Sequence, residues 1–152
     1  MEFEEMARKI IEQECEDYFL GIVDLSLVED VAIDKYRPLI FEYPRAISIG
    51  ITLPNLITEE LMNENIEFYK ETNCQLNAIT VHLSRLLQEK GYMALPVPKP
   101  ERVNDGTFIS LHKLAANLAN LGWIENNLLV TPEVGIGVNW GTVLTDAPIG
   151  IK

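Results

Sequence analysis

Between Phe108 and Ile149 the chain sets four elements in a row: an amphipathic helix, a Leu-Gly-Trp-Ile turn, a strand, and a second strand closing on Thr-Asp-Ala-Pro. A helix followed at once by short strands commits this quarter to a layered arrangement. Each such element has an apolar face that must be buried on another layer. From Ser110 to Asn120 the helix places Leu111, Leu114, Ala115, Leu118 and Leu121 on one side. Gly122 is expected to end it. Asn127 to Val130 and Val138 to Leu144 read as strands, joined by a turn from Thr131 to Gly137.

The rest of the chain supplies more layers. Residues 2–16 predict a helix, because Phe3, Met6, Ala7, Ile10 and Ile11 recur at spacings of three and four. Tyr18 to Leu25 is a short apolar run that suits a buried strand. Ser26 to Tyr36 reads as a short helix plus loop, and Pro38 and Pro44 punctuate the stretch leading to the next strand. Ala46 to Leu53 is the clearest strand, rich in β-branched residues, with Gly50 leaving room for backbone or ligand to approach. Pro54 ends it, and Thr58 to Met62 can open a helix. Asn65 to Lys90 is the longest helical segment, with Gly91 placed as its C-terminal cap. Tyr92 to Val97 reads as a strand. Pro96, Pro98 and Pro100 stiffen the next stretch, and Glu101 to Gly106 is a polar loop. The order predicts one domain over 1–152, mixed α+β, with an antiparallel pair at the C-terminal end.

At 152 residues such a domain buries roughly two thirds of its unfolded surface. Its 47% hydrophobic and 23% charged residues are ordinary for a globular chain and argue against disorder. The formal net charge of −11 disfavours nucleic acid and anionic membrane surfaces as partners. Much of the acidity sits between Met1 and Glu29, where it reads as a solvated helix face. Cys15 and Cys74 are not spaced as metal ligands; two cysteines allow one disulfide, and free thiols are the preferred reading. No signal-peptide core and no bilayer-length apolar run occurs, so a soluble cytoplasmic protein is expected.

Few side chains suggest chemistry. His112 opens the second amphipathic helix beside Lys113, and could donate a proton or ligate a metal, or simply face solvent. His82 has no His, Cys or carboxylate at i+3 or i+4 and reads as structural. Trp123 could stack on a flat ring, although a Trp after a Leu-Gly turn is more often a core anchor. Asn126 and Asn127 could contact a ligand or only form a turn. Asp146 is expected to bond the backbone of its own turn. No Ser-His-Asp spacing, phosphate loop or zinc pattern is present.

These runs together resemble the epoxyqueuosine reductase superfamily, and within it the cobalamin-reductase-like domain that precedes a ferredoxin domain. The matching residues are His112-Lys113-Leu114-Ala115-Ala116, then Ala119 to Asn127, Leu128 to Gly135 and Thr142 to Ile149. Upstream, Tyr43 to Pro54 and Glu89 to Pro98 also fit, so the likeness runs from about residue 18 to 149. The resemblance implies a nitroreductase-like α+β sandwich, with a mixed or antiparallel sheet and flanking helices. It further implies a bound cobalamin, reduced by 4Fe–4S clusters, that drives a two-electron reduction. On this reading His112 and Asp105 are the catalytic candidates. Ser110, Lys113, Trp123, Asn126, Asn127, Thr131 and Thr142 are the cofactor-binding candidates. FMN is a weaker alternative, because the implied fold is shared with flavin enzymes.

The departures are also specific. Glu125 and Asn126 stand where the family has Gly-Lys, and Gly137 and Asn139 where it usually has arginines, so potential anion clamps are lost. Asp105 is about one residue out of register with the family's acidic proton donor. No cysteine run for an iron–sulfur cluster exists before Lys152. The domain is therefore not expected to turn over alone. It would need a ferredoxin-type electron donor, on a longer form of the chain or on another protein. The alternative is a domain that kept the fold and lost the cofactor, acting as a binding, regulatory or homodimerisation module.

Overall fold

The computed structural model describes residues 2–28, 34, 36–53, 66–97, 111–125, 128–135 and 137–149. Expectations for 58–62 and 101–106, and most of that for 26–36, fall outside them.

Helix α1 spans Glu2–Glu12 and buries Phe3, Ala7, Ile10 and Ile11. It stops four residues before the apolar pattern suggested. Glu12, Glu14, Glu16 and Asp17 crowd its C-terminal end, where the helix dipole opposes negative charge. The Cys15 amide closes the last turn on the Ile11 carbonyl at 3.0 Å. The Cys15 thiol is half-buried there, and its pKa is pushed up from 9.0 to about 11. Burial is the main cause, followed by Glu14, Asp17 and Glu12. Any stability tied to this protonated thiol is therefore present below pH 9 and is lost as pH rises through 11.

Four strands, β1 (Tyr18–Asp24), β2 (Arg45–Thr52), β3 (Ala94–Pro96) and β6 (Val138–Thr145), form one antiparallel sheet in the order β1-β2-β6-β3. Strands β4 (Trp123–Glu125) and β5 (Leu128–Val130) pair separately. The C-terminal antiparallel pair is thus β4 with β5, while β6 joins the main sheet beside β2. β4 replaces the turn expected at Leu-Gly-Trp-Ile. Helix α2 (Arg37–Glu42) is hidden in the sequence by Pro38, which sits in its first turn, where a missing N–H costs nothing.

Helices cover both sheet faces, so nearly every residue of β2 and all of β6 is buried. On one face α1 and α3 (Ile66–Glu89) enclose Ile47, Ile49, Ile51 and Val143. Leu76, Ile79, Leu83 and Leu87 of α3 are fully buried, each contributing about 1.5–3 kcal/mol. Gly91 does cap α3: at φ +93° its N–H reaches the Gln88 carbonyl and the Tyr92 N–H reaches that of Leu87. On the other face α4 (Leu111–Leu118) lays Leu111, Leu114 and Ala115 on Ala46 and Leu144. Beside them Ala116, Leu129, Val138 and Trp140 form a third cluster, with the Trp140 ring 5.7 Å from that of Phe19.

Two glycine expectations change. Helix α4 is ended by Asn120 at φ 65°, whose N–H bonds the Asn117 carbonyl while the Leu121 N–H bonds that of Ala116. Gly122 instead lets the Val130 carbonyl oxygen pass where a Cβ would sit. Gly50 admits neither backbone nor ligand. The Trp140 ring lies across it, 2.6 Å from an ideal Cβ.

Candidate functional site

The predicted site residues split into two groups. Strand alternation turns Thr142 toward α4, one position along β6 from Gly141, which faces α3. There the Thr142 hydroxyl meets the His112 Nδ1 at 2.9 Å. Thr142 is 0% exposed and His112 4%. The pair joins α4 to β6 inside the molecule, so His112 does not face solvent. Ser48 lies opposite Thr142 on β2, also fully buried, with no hydrogen-bond partner for its hydroxyl among the described residues. No sequence signal marks Ser48 as part of this polar island.

Thr131 is spent on its own turn. Its hydroxyl donates to the Gly135 carbonyl at 3.0 Å and accepts the Val134 N–H at 3.2 Å. It is 2% exposed. Trp123 is not the core anchor that its turn suggested. It is 46% exposed on β4, and Trp140 takes the core role. Lys113 is half-buried on α4. Asp105, Ser110, Asn126 and Asn127 lie outside the described residues.

Asn139, at one of the lost arginine positions, points inward on the α3 face. Its Nδ2 donates to Thr72 Oγ1 at 2.9 Å and to Asn73 Oδ1 at 2.8 Å. Asp146 also behaves differently from expectation. Its carboxylate accepts the Met93 N–H at 2.9 Å, across the sheet rather than within its own turn.

These positions decide how a corrin could fit. α4 and β6 pack directly through Leu111, Leu114, Ala115 and Leu144, so the described residues leave no hollow between them. One cavity of about 760 Å³ opens at the other end of β1 and β2, rimmed by Glu16, Asp17 and Glu133. Its charge is wrong for ligand phosphate or carboxylate groups. A second, of about 300 Å³, lies on the α3 face. The described residues therefore do not enclose a corrin. The exposed aromatic ring nearest the predicted site is Trp123 on β4. Among the described residues, no group of three or more His, Cys, Asp or Glu is placed to hold a metal ion. No described helix is long and apolar enough to cross a membrane.

Truncating His112 should act on stability first. His112→Ala removes a buried ring and strands the Thr142 hydroxyl, at an expected cost of about 3 kcal/mol in urea unfolding. A variant of unchanged stability would contradict this structural role.

The fold defines a layered α+β domain of the kind found in epoxyqueuosine reductases. The chain is similar to the crystal structure of an epoxyqueuosine reductase with an epoxyqueuosine-modified tRNA-Tyr stem loop, at 14% identity and a TM-score of 0.56. That match covers 95% of this chain and 45% of the other. It is also similar to epoxyqueuosine reductase from Streptococcus thermophilus, at 12% identity and a TM-score of 0.54, over 96% of this chain and 45% of that one. A selenomethionine-labelled epoxyqueuosine reductase matches at 13% identity and a TM-score of 0.52, over 96% and 47%. The likeness is one of fold, and the chain spans less than half the length of these reductases. No protein-family model matches the sequence, and comparison with curated proteins finds no match.

Proposed function

We propose that this chain is the cofactor-side part of a reductase, holding a corrinoid against its Trp123 surface and receiving electrons from a separately folded 4Fe–4S module. The observation that carries this reading is the fold, shared with epoxyqueuosine reductases over 95% of the chain. A corrinoid would supply the reducing metal. The chain would supply a stacking ring carried on the paired strands β4 and β5.

Anaerobic titration with cob(II)alamin tests this, following the visible spectrum and retention on a sizing column. Binding is expected, and Trp123→Ala should weaken it about ten-fold, the equivalent of losing one stacking contact. No spectral change and no retention, with the module supplied, would remove the reading.

Two observations favour a second reading, a domain that kept the fold without the cofactor. His112 and Thr142 are closed on each other, and Glu125 adds negative charge at the exposed hairpin. Asn126→Lys combined with Gly137→Arg restores two cations. A Cβ at Gly137 would lie 3.3 Å from the Val134 carbonyl, close enough to need a small adjustment. Binding by the double variant and none by the parent would establish this second reading.

A further inference from the structure

The main sheet has two edge strands that differ in kind. β3 is three residues long and closes on Pro96, which has no N–H to offer. β1 runs seven residues through YFLGIVD without proline, lysine or bulge. Its ladder with β2 is regular. The Asp17 carbonyl takes the Thr52 N–H at 3.2 Å, and the Leu25 N–H meets the Pro44 carbonyl at 2.7 Å. In an antiparallel pair such bonded residues alternate with unbonded ones, so Phe19, Gly21 and Val23 spend their main-chain groups on β2. Tyr18, Leu20, Ile22 and Asp24 turn theirs the other way, and no described residue pairs with them. Exposure agrees with this. Every residue of β1 is half-buried whichever face its side chain takes, while β2 is buried at all but its ends and β6 throughout. Uniform exposure of that kind comes from an open edge, because an open face would expose alternate residues.

An unprotected edge of this length is a template for another strand. We propose that it pairs with β1 of a second copy of this chain, antiparallel about a twofold axis at Gly21, joining two four-stranded sheets into one. The bonding groups fix this register. It sets Leu20 opposite Ile22 and Tyr18 opposite Asp24, and all four carry their unspent N–H and C=O groups on the meeting edge. Sliding either strand by one residue would set unspent groups against spent ones, and any longer shift would leave part of the strand unpaired. On the α4 side Phe19 comes beside Val23. The charges fit as well. Asp24, held by Arg45 at 3.6 Å, comes opposite Tyr18. The Tyr18 ring carries Arg8 at 5.7 Å from its centre, and its hydroxyl donates to Glu12 at 2.6 Å. Each end of the contact therefore brings both signs together. The remaining acidity, in a chain of net charge −11, acts at longer range, where salt screens it. One strand pair is a small interface, so the dimer is reversible. The contact does not depend on the corrinoid reading.

Sedimentation velocity of the full chain from about 1 to 500 µM is the first measurement. A dimer should build up with concentration, and its share should rise with added salt as the repulsion between two acidic copies is screened. Amide hydrogen exchange then locates the contact without any mutation. The Leu20 and Ile22 N–H groups should exchange freely in the dilute protein and slow about ten-fold or more in the concentrated one. Those of Phe19, Gly21 and Val23 should stay protected at both concentrations, because they are bonded to β2. Ile22→Pro removes an N–H that β2 does not use, so the monomer should stay folded while the dimer is lost. If that variant does not fold, the exchange result decides alone. A chain that stays monomeric throughout would overturn the proposal. So would a dimer in which Leu20 and Ile22 exchange as fast as in the monomer, or one that a folded Ile22→Pro leaves intact.

Discussion

Gly122→Ala should destabilise the domain by about 3 kcal/mol or more, well beyond an ordinary glycine substitution. The reason is local and steric. The new methyl group would run into the carbonyl oxygen of Val130 and lie 3.1 Å from its carbonyl carbon. Both are main-chain atoms of the paired strand β5, so no side chain can swing aside. Relief would have to come from separating β4 from β5, and with them the Asn117 Nδ2 bond to the Gly122 carbonyl at 2.9 Å. Gly91 and Gly135 provide the comparison. Their φ angles of +93° and +59° strain any side chain, but a Cβ at either meets nothing within 4 Å. Alanine there should cost only about 1 kcal/mol. Urea midpoints of the three variants separate crowding from backbone strain. Gly122→Ala as mild as Gly135→Ala would show that the hairpin is loosely held. Because Trp123 comes directly after Gly122, the corrinoid binding proposed for Trp123 should also fail in Gly122→Ala and survive in Gly91→Ala.

Hydrophobic periodicity sets the limit on how much of this molecule is legible in its sequence. A stripe of apolar residues tells which side of an element is buried, so α1, β1, β2, α3 and α4 are all legible. So is the Gly91 cap. Periodicity does not tell which element covers that side. The strand from Val138 is recognisable, but its place between β2 and β3 depends on pairings that reach back about ninety residues. The His112–Thr142 bond spans 30 positions, and only the folded chain shows that both side chains lie under α4. Local signals mislead where two residues can play one role. Asn120 takes the left-handed position expected of Gly122, and Trp140 takes the core expected of Trp123. The resemblance carries the fold correctly. For the site it gives positions and not orientations, because a motif such as His112-Lys113 keeps its place in the helix whichever way its ring faces, and here the ring meets Thr142 of the sheet.

Replacing Arg45 should show that the Thr-Asp-Ala-Pro motif is a clasp between strand ends. Arg45 opens β2 directly opposite Thr145 at the close of β6. Its Nη1 donates to the carbonyls of Asp146 and Ala147, both at 3.1 Å. Its Nη2 stands 3.6 Å from Asp24 Oδ2, with the two side chains 16% and 21% exposed. The same segment is tied to the start of β3. The Thr145 hydroxyl donates to the Met93 carbonyl at 2.6 Å, and the Asp146 carboxylate accepts the Met93 N–H. Arg45 thus anchors β1 and the end of β6 to the start of β2, while Met93 brings in the edge strand. Arg45→Met keeps the aliphatic stem but leaves two carbonyls without their donor and the Asp24 carboxylate, which keeps the Ser26 N–H at 3.0 Å, without its counter-charge, at an expected cost of about 3 kcal/mol. Arg45→Lys should recover only part of this, because one ammonium cannot reproduce the planar fork that serves both carbonyls and Asp24. In the double variant Arg45→Met with Asp24→Asn, the stranded charge is gone, so the loss should be smaller than the sum of the two single losses by roughly 1 kcal/mol. Strict additivity would mean that the 3.6 Å pair is screened and that the carbonyl bonds alone hold the strand ends together.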